Sequence, residues 1–108
     1  MNKVLLGNEI DVPLYNTFID IFTYTSESIK YFTGSIHLHK MIPGEKIHVK
    51  LTINGKPHLY IEYVDAQVMT LVYINPIPVI PGDVLKVQMR SLASDKTSLI
   101  SYTFYEHW

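Results

Sequence analysis

Apolar and polar residues alternate with a period of two along most of this chain, and no apolar run follows the 3.6-residue period of an amphipathic helix. Ile47, Val49 and Leu51 alternate with His48, Lys50 and Thr52, and Leu85, Val87 and Met89 with Lys86, Gln88 and Arg90. Ile100, Tyr102 and Phe104 share one face of the run from Ser98 to Glu106. Such alternation marks strands buried on one side only. Two runs depart from it. Leu14 to Tyr24 reads as one long strand, with Ile19 and Ile21 on one side and Phe18 and Phe22 on the other, and Val68 to Asn75 is also apolar on both faces. A strand of that kind is central in its fold or covered by another chain.

Turn residues punctuate these runs. The segment Ile42 to Leu51 returns 38 positions later as Ile80 to Met89, with four of ten residues identical, each copy a Pro-Gly-acid turn leading into an alternating strand. Proline pre-sets φ at the second position of a turn, and glycine accepts the positive φ of a type II turn at the third, so Gly44 and Gly82 are expected there. Asn54-Gly55 is a strong hairpin signal. A plain two-residue loop would pair Leu51 with His58 and Val49 with Tyr60, mixing apolar with polar partners. Adding one residue pairs Leu51 with Leu59, Val49 with Ile61, Ile47 with Tyr63 and His48 with Glu62. Because a one-residue slip turns a whole face over, burial selects the second register, with a longer loop or a bulge.

The remaining runs complete the pattern. Lys3 to Leu6, ended by Gly7-Asn8-Glu9, reads as a first strand or arm within residues 1–13. Ile29 to His39 is a strand with Ile36 and Leu38 inward, His37 and His39 outward, and Gly34 at a bulge. Asn75 to Gly82 carries Pro76, Pro78 and Pro81, which no internal strand with a full ladder tolerates, so it is an extended crossover or a sheet edge. Seven or eight strands with frequent turns predict an all-β fold in a single domain over residues 1–108: an antiparallel β-sandwich of jelly-roll or immunoglobulin-like type, with a small barrel as the alternative.

Composition narrows the partners. A chain of 108 residues that is 47% hydrophobic can bury one proper core. Nine Lys/Arg against ten Asp/Glu, with no basic run, leave no electrostatic footprint for nucleic acid. No stretch is long and apolar enough to span a membrane as a helix, and the apolar run near the N-terminus is too short for a signal peptide. The absence of cysteine removes disulfides, thiolate metal sites and thiol nucleophiles, which fits a cytoplasmic protein or one assembled in the cytoplasm.

Candidate chemistry is sparse. His37 and His39, two apart on one strand face, are spaced for two imidazole ligands, and Glu45 or His48 could supply a third. The His-x-His pattern brings cupins to mind, but the interval from His39 to Glu45 is too long, the glycines do not fall into place, and no second motif follows. Solvated surface is the reading preferred for this pair, and no metal or cofactor is expected. No nucleophile elbow or phosphate-binding glycine loop is present, and no catalytic residue is assigned. Tyr15, Tyr24, Tyr31, Tyr60 and Tyr73, with Trp108, either form a sugar-stacking platform or fill half-buried strands, as tyrosine does well.

Phe32-Thr-Gly-Ser-Ile-His-Leu, the two Pro-Gly-acid turns, Tyr60-Ile-Glu-Tyr and Asp65-Ala-Gln give the chain a pattern similar to small all-β virion proteins, the minor capsid and decoration proteins of phages and archaeal viruses. The resemblance implies a non-enzymatic capsid-associated subunit (minor capsid, decoration or spike) that assembles with itself and with other virion proteins. It also implies location in the virion after assembly in the host cytoplasm, without nucleic-acid or membrane contact. A carbohydrate- or other ligand-binding β-sandwich is the alternative.

Overall fold

A computed structural model of the chain describes residues 3–40, 46–64, 71–92 and 98–107. Eight strands are present: β1 (Lys3–Leu14), β2 (Ile19–Thr25), β3 (Lys30–Lys40), β4 (Lys46–Ile53), β5 (Lys56–Val64), β6 (Leu71–Val79), β7 (Val84–Ser91) and β8 (Ser98–His107). They form two four-stranded antiparallel sheets, ordered β1-β8-β3-β6 and β2-β7-β4-β5, packed face to face as a β-sandwich. The first strand pairs with the eighth, the second with the seventh, the third with the sixth and the fourth with the fifth. That is a hairpin of four strand pairs rolled into two layers, the order of a jelly roll. An immunoglobulin-like sheet would put the first strand beside the second. Here only β4 and β5 are both consecutive and paired, and each of the other connections passes from one sheet to the other.

The inward faces supply the core that alternation marked out. Phe32, Ile36, Leu38, Ile100 and Phe104 come from the first sheet, and Ile47, Val49, Leu51, Leu85, Val87 and Met89 from the second; all are fully buried. The expected hairpin register is observed: Leu51 pairs with Leu59, Val49 with Ile61, Ile47 with Tyr63 and His48 with Glu62. Asn54 (φ 53°) and Gly55 (φ 80°) form a two-residue turn with both residues left-handed, and a bulge after Leu51 supplies the extra residue. The two copies of the repeated segment become β4 and β7, which are sheet neighbours. Lys50 pairs with Gln88, its counterpart in the other copy, so a local two-fold passes between them. Gly82 has φ +90°, and the Asp83 amide donates to the Ile80 carbonyl at 3.1 Å, the type II turn expected. Gly44 lies outside the described residues.

Three expectations need correction. β1 does not stop at Gly7-Asn8-Glu9 but runs to Leu14, with register shifts after Leu5 and Glu9. It lies at the edge of its sheet, where Pro13 interrupts no internal ladder and irregularity is tolerated. Leu14 to Tyr24 is therefore two strands: the chain leaves the first sheet after Leu14 and enters the second at Ile19. Nor is β2 apolar on both faces. A bulge between Asp20 and Phe22 turns the strand, so that Ile21 and Phe22 both pack inward. In β6, Val72 and Ile74 are buried while Tyr73 is exposed, so its described part alternates; residues 68–70 lie outside the described set. The proline-rich run falls on β6 at the sheet edge, one of the two places expected for it.

Phe104 organises the aromatic centre. Its neighbours across β8 are glycines on both sides, Gly7 in β1 and Gly34 in β3. A Cβ on Gly34 would lie 2.4 Å from the Phe104 ring and 2.7 Å from the Thr103 carbonyl oxygen. Phe22 reaches across from the second sheet to stack on Phe104 at 4.7 Å, and Phe32 lies 5.6 Å away on the same ring. The register does shift beside Gly34 in the pairing with β6, but the extra residue lies on β6, where residues 75–76 oppose Thr33, so the bulge is on the partner strand and not at Gly34 as expected.

The two kinds of glycine predict a graded response. Gly82→Ala meets open space and suffers only the left-handed backbone, about 1–2 kcal/mol. Gly34→Ala drives a methyl into a ring and a backbone carbonyl, adding overpacking of roughly 1–3 kcal/mol and strand repositioning. Urea denaturation should rank Gly34→Ala below Gly82→Ala and both below wild type; equal midpoints for the two variants would refute the packing account.

Candidate functional site

Cross-strand partners share a face, so the register defines what each sheet shows to solvent. On the outside of the first sheet, Tyr31 stands beside His107 and Pro78, Thr33 beside Tyr105, Ser35 beside Thr103 and Tyr73, and His37 beside Ser101. None of these described positions on β3, β6 and β8 is Asp, Glu, Lys or Arg, although a solvated surface normally carries both signs throughout. From β1, Leu5 joins the same face beside Tyr105 and Lys3 takes the edge position beside His107, and Tyr31 stacks on His107 at 5.5 Å. Leu5, Tyr31 and Tyr73 are each about half exposed, and Ile29 and Ile80, one residue beyond the paired Lys30 and Val79, are more exposed still.

The second sheet presents the opposite chemistry. Lys46, Lys50, Lys86 and Arg90 alternate outward with His48, Asp20, Gln88 and Glu62. His48 is only 6% exposed, because Phe18, Tyr60 and Arg90 surround it. His48 lies on the outer face opposite Glu62, as its register implied, and is buried there all the same. Arg90 Nε donates to His48 Nδ1 at 2.9 Å, and the Tyr60 hydroxyl reaches the same nitrogen at 3.0 Å. Nδ1 is then the acceptor, and Nε2–H donates to Glu62 Oε2 at 2.6 Å, which assigns the tautomer from the hydrogen bonds. His48's hydrogen bond holds the Glu62 carboxyl below its ordinary value, against a smaller opposing effect of desolvation.

A second polar cluster lies inside the sandwich. Continuing the inward alternation of β8 past Phe104 places Glu106 at the end of the core, 5% exposed. Lys30 Nζ from β3 donates to Glu106 Oε1 at 2.7 Å, and the Tyr24 hydroxyl from β2 donates to Oε2. Burial would raise the Glu106 pKa, but the hydrogen bonds from Lys30 and Tyr24 outweigh it and hold the carboxyl below 4.5. Burial and the adjoining Glu106 push the Tyr24 phenol up to about 12. Sequence reading missed this group, although the period-2 pattern that placed Phe104 inward also places Glu106 inward.

The other expected sites disperse. His37 is on the first sheet and His48 on the second, while the His39 side chain, Glu45 and Trp108 lie outside the described residues. Among the described residues no three of His, Cys, Asp and Glu gather as metal ligands would. The tyrosines do not form one platform. Tyr31 and Tyr73 share the uncharged face, Tyr60 is on the opposite face, Tyr24 points into the sandwich and Tyr15 sits in the β1–β2 connection. A cleft of ≈ 320 Å³ between the sheet edges is lined by His58, Leu59 and Ile61 of β5 and by Tyr73, Asn75 and Pro76 of β6. Comparison with known proteins finds no matching family, no matching curated protein and no matching solved structure, so the geometry alone carries the functional reading.

Two measurements probe these clusters. Glu106→Gln should lower stability at neutral pH by about 2–3 kcal/mol, since a charge-assisted hydrogen bond is lost and Lys30 loses its partner. Because the folded carboxyl titrates below 4.5, its contribution is complete above that pH and is lost as pH falls through the lower folded value. The gap between wild type and variant should accordingly close in acid, and a gap independent of pH would show that the side chain acts by shape alone. Separately, carbon-13 titration should find the Glu62 carboxyl at a higher pKa in His48→Ala than in wild type.

Proposed function

We propose that this chain is a non-enzymatic structural subunit that assembles with copies of itself, in the manner of a capsid-associated minor capsid, decoration or spike protein. The observation that carries this reading is the outer face of β8, β3 and β6, whose described positions carry no Asp, Glu, Lys or Arg. Its rings, prolines and hydroxyls, with Leu5, Ile29 and Ile80, form an apolar surface that invites cover. The molecule is a slab of 41 × 26 × 17 Å, so a whole face offers roughly 1,000 Å², comparable with the ~800 Å² that each partner of a standard interface buries. A face so poor in charge is matched best by another of the same kind, and a two-fold pairing of identical faces closes on itself. The jelly-roll strand order fits the same reading, since that architecture serves in capsid domains. It also serves in lectins, and the rings of Tyr31 and Tyr73 beside serine and threonine hydroxyls would suit a neutral carbohydrate.

Sedimentation decides between association and glycan binding. At micromolar concentration the protein should sediment as a homo-oligomer, and because the contact is poor in charge, high salt should not dissociate it. Tyr31→Lys combined with Tyr73→Lys places two charges on the face and should give a folded monomer, with unchanged circular dichroism. A wild-type monomer that binds a neutral glycan would replace this reading with the carbohydrate one. A wild-type monomer that binds none would remove both.

A further inference from the structure

The opposite face carries an arrangement that self-assembly does not use. Phe18, in the connection between β1 and β2, lies over the second sheet with the Arg90 guanidinium carbon 4.4 Å and the Lys50 ammonium 5.1 Å from its ring centroid. Two cations are thus gathered on one ring. Cation–π attraction at an exposed site offsets their repulsion only weakly. Carboxylates nearby are committed elsewhere. Glu62 accepts from His48, and Asp20 accepts from Gln88 at 2.7 Å and pairs with Lys86 at 3.7 Å. Lys30, by contrast, has its own buried carboxylate in Glu106. Among the described residues, Lys50 has no carboxylate partner.

Arg90 is also held in one orientation. Its Nε–H is taken up by His48 Nδ1, and His48 is fixed in turn by Glu62 through Nε2 and by packing against Tyr60. Among the described residues neither Nη group of Arg90 has an acceptor, so the fork that suits two oxygens of one anion remains available. Lys50 adds a mobile point charge beside it. Among the described residues this face carries Lys46, Lys50, Lys86 and Arg90 against Asp20 and Glu62, an excess of positive charge in a chain whose net charge is −1.

We infer that Arg90 and Lys50 form a binding site for a single anionic group, a carboxylate, sulfate or phosphate borne by a ligand, with Phe18 as its wall and His48 as the residue that positions Arg90. The site faces away from the uncharged sheet, so it does not depend on self-association.

NMR titration at constant ionic strength, with chloride as the balancing ion, tests this. Sulfate, phosphate and acetate are added separately to the full chain, and the Arg90 Nε–H and Phe18 ring signals are followed. Saturable shifts at both are expected, and the anion with the tightest curve identifies which oxyanion class the site takes. Lys50→Gln and Arg90→Gln should each weaken binding at least ten-fold, while Lys86→Gln, on the same face but paired with Asp20, should leave it within two-fold. His48→Gln keeps both cations yet should also weaken binding, with a loss of Arg90 Nε–H protection from exchange that a merely electrostatic role would not produce. Shifts that stay linear with all three anions, or that spread equally over Lys46 and Lys86, would show an unspecific ion atmosphere and overturn the assignment. Binding unaffected by Lys50→Gln would overturn it as well.

Discussion

The fold depends on one packing constraint, the stack of Phe104 and Phe22 for which two glycines leave room. A β-sandwich needs bulk at its centre, and the Phe104 ring supplies it because Gly34, its partner in β3, leaves room, while Gly7, its partner in β1, leaves room for the Phe22 ring. Phe22 enters from the other sheet to complete the stack, and the β2 bulge is what delivers it. Ring, glycines and bulge therefore act together. Relaxing any one leaves either a void or a collision in an interior that is packed as densely as a crystal.

With that centre full, the two outer surfaces are free to differ, and they do. Aromatic and apolar side chains that seemed surplus in β2 turn inward at its bulge, so the exposed apolar surface concentrates on one sheet. The polar residues of the other sheet are tied to one another through His48, which is buried under Phe18 although it points away from the core. Burial of that kind does not follow from strand alternation. A chain segment outside the sandwich provides it.

Much of the fold was legible because a half-buried strand has only two choices. The β4–β5 register could be derived from which pairing kept Leu51, Val49 and Ile47 opposite apolar partners, and that derivation placed His48 against Glu62. What defeated the same logic was any residue that breaks the period. The bulge in β2 made one sheet face look like two, and the edge position of β1 let it run through Gly7-Asn8-Glu9, which read as a stop. Strand order was beyond reach, since consecutive strands here lie mostly in different sheets and local signals describe only the single hairpin. The candidate sites fared similarly. His48 was found by register, whereas Arg90 and Phe18 join it from strands and connections far away in sequence, and nothing local announces their meeting.

The position of β8 has a consequence for how the molecule comes to exist. It is the last strand of the sandwich in sequence, yet it lies between β1 and β3. During synthesis the second sheet has all four of its strands once β7 has emerged, and it can start from the local β4–β5 hairpin. The first sheet then holds only β3 paired with β6, and β1 has no neighbour. Non-local closures of this sort are slow, because loop entropy must be overcome before contacts compensate. Until β8 inserts, the inner face of the second sheet lies uncovered beside the unpaired edges of β1 and β3. The growing chain therefore passes through a stage in which its most aggregation-prone surfaces await a single strand.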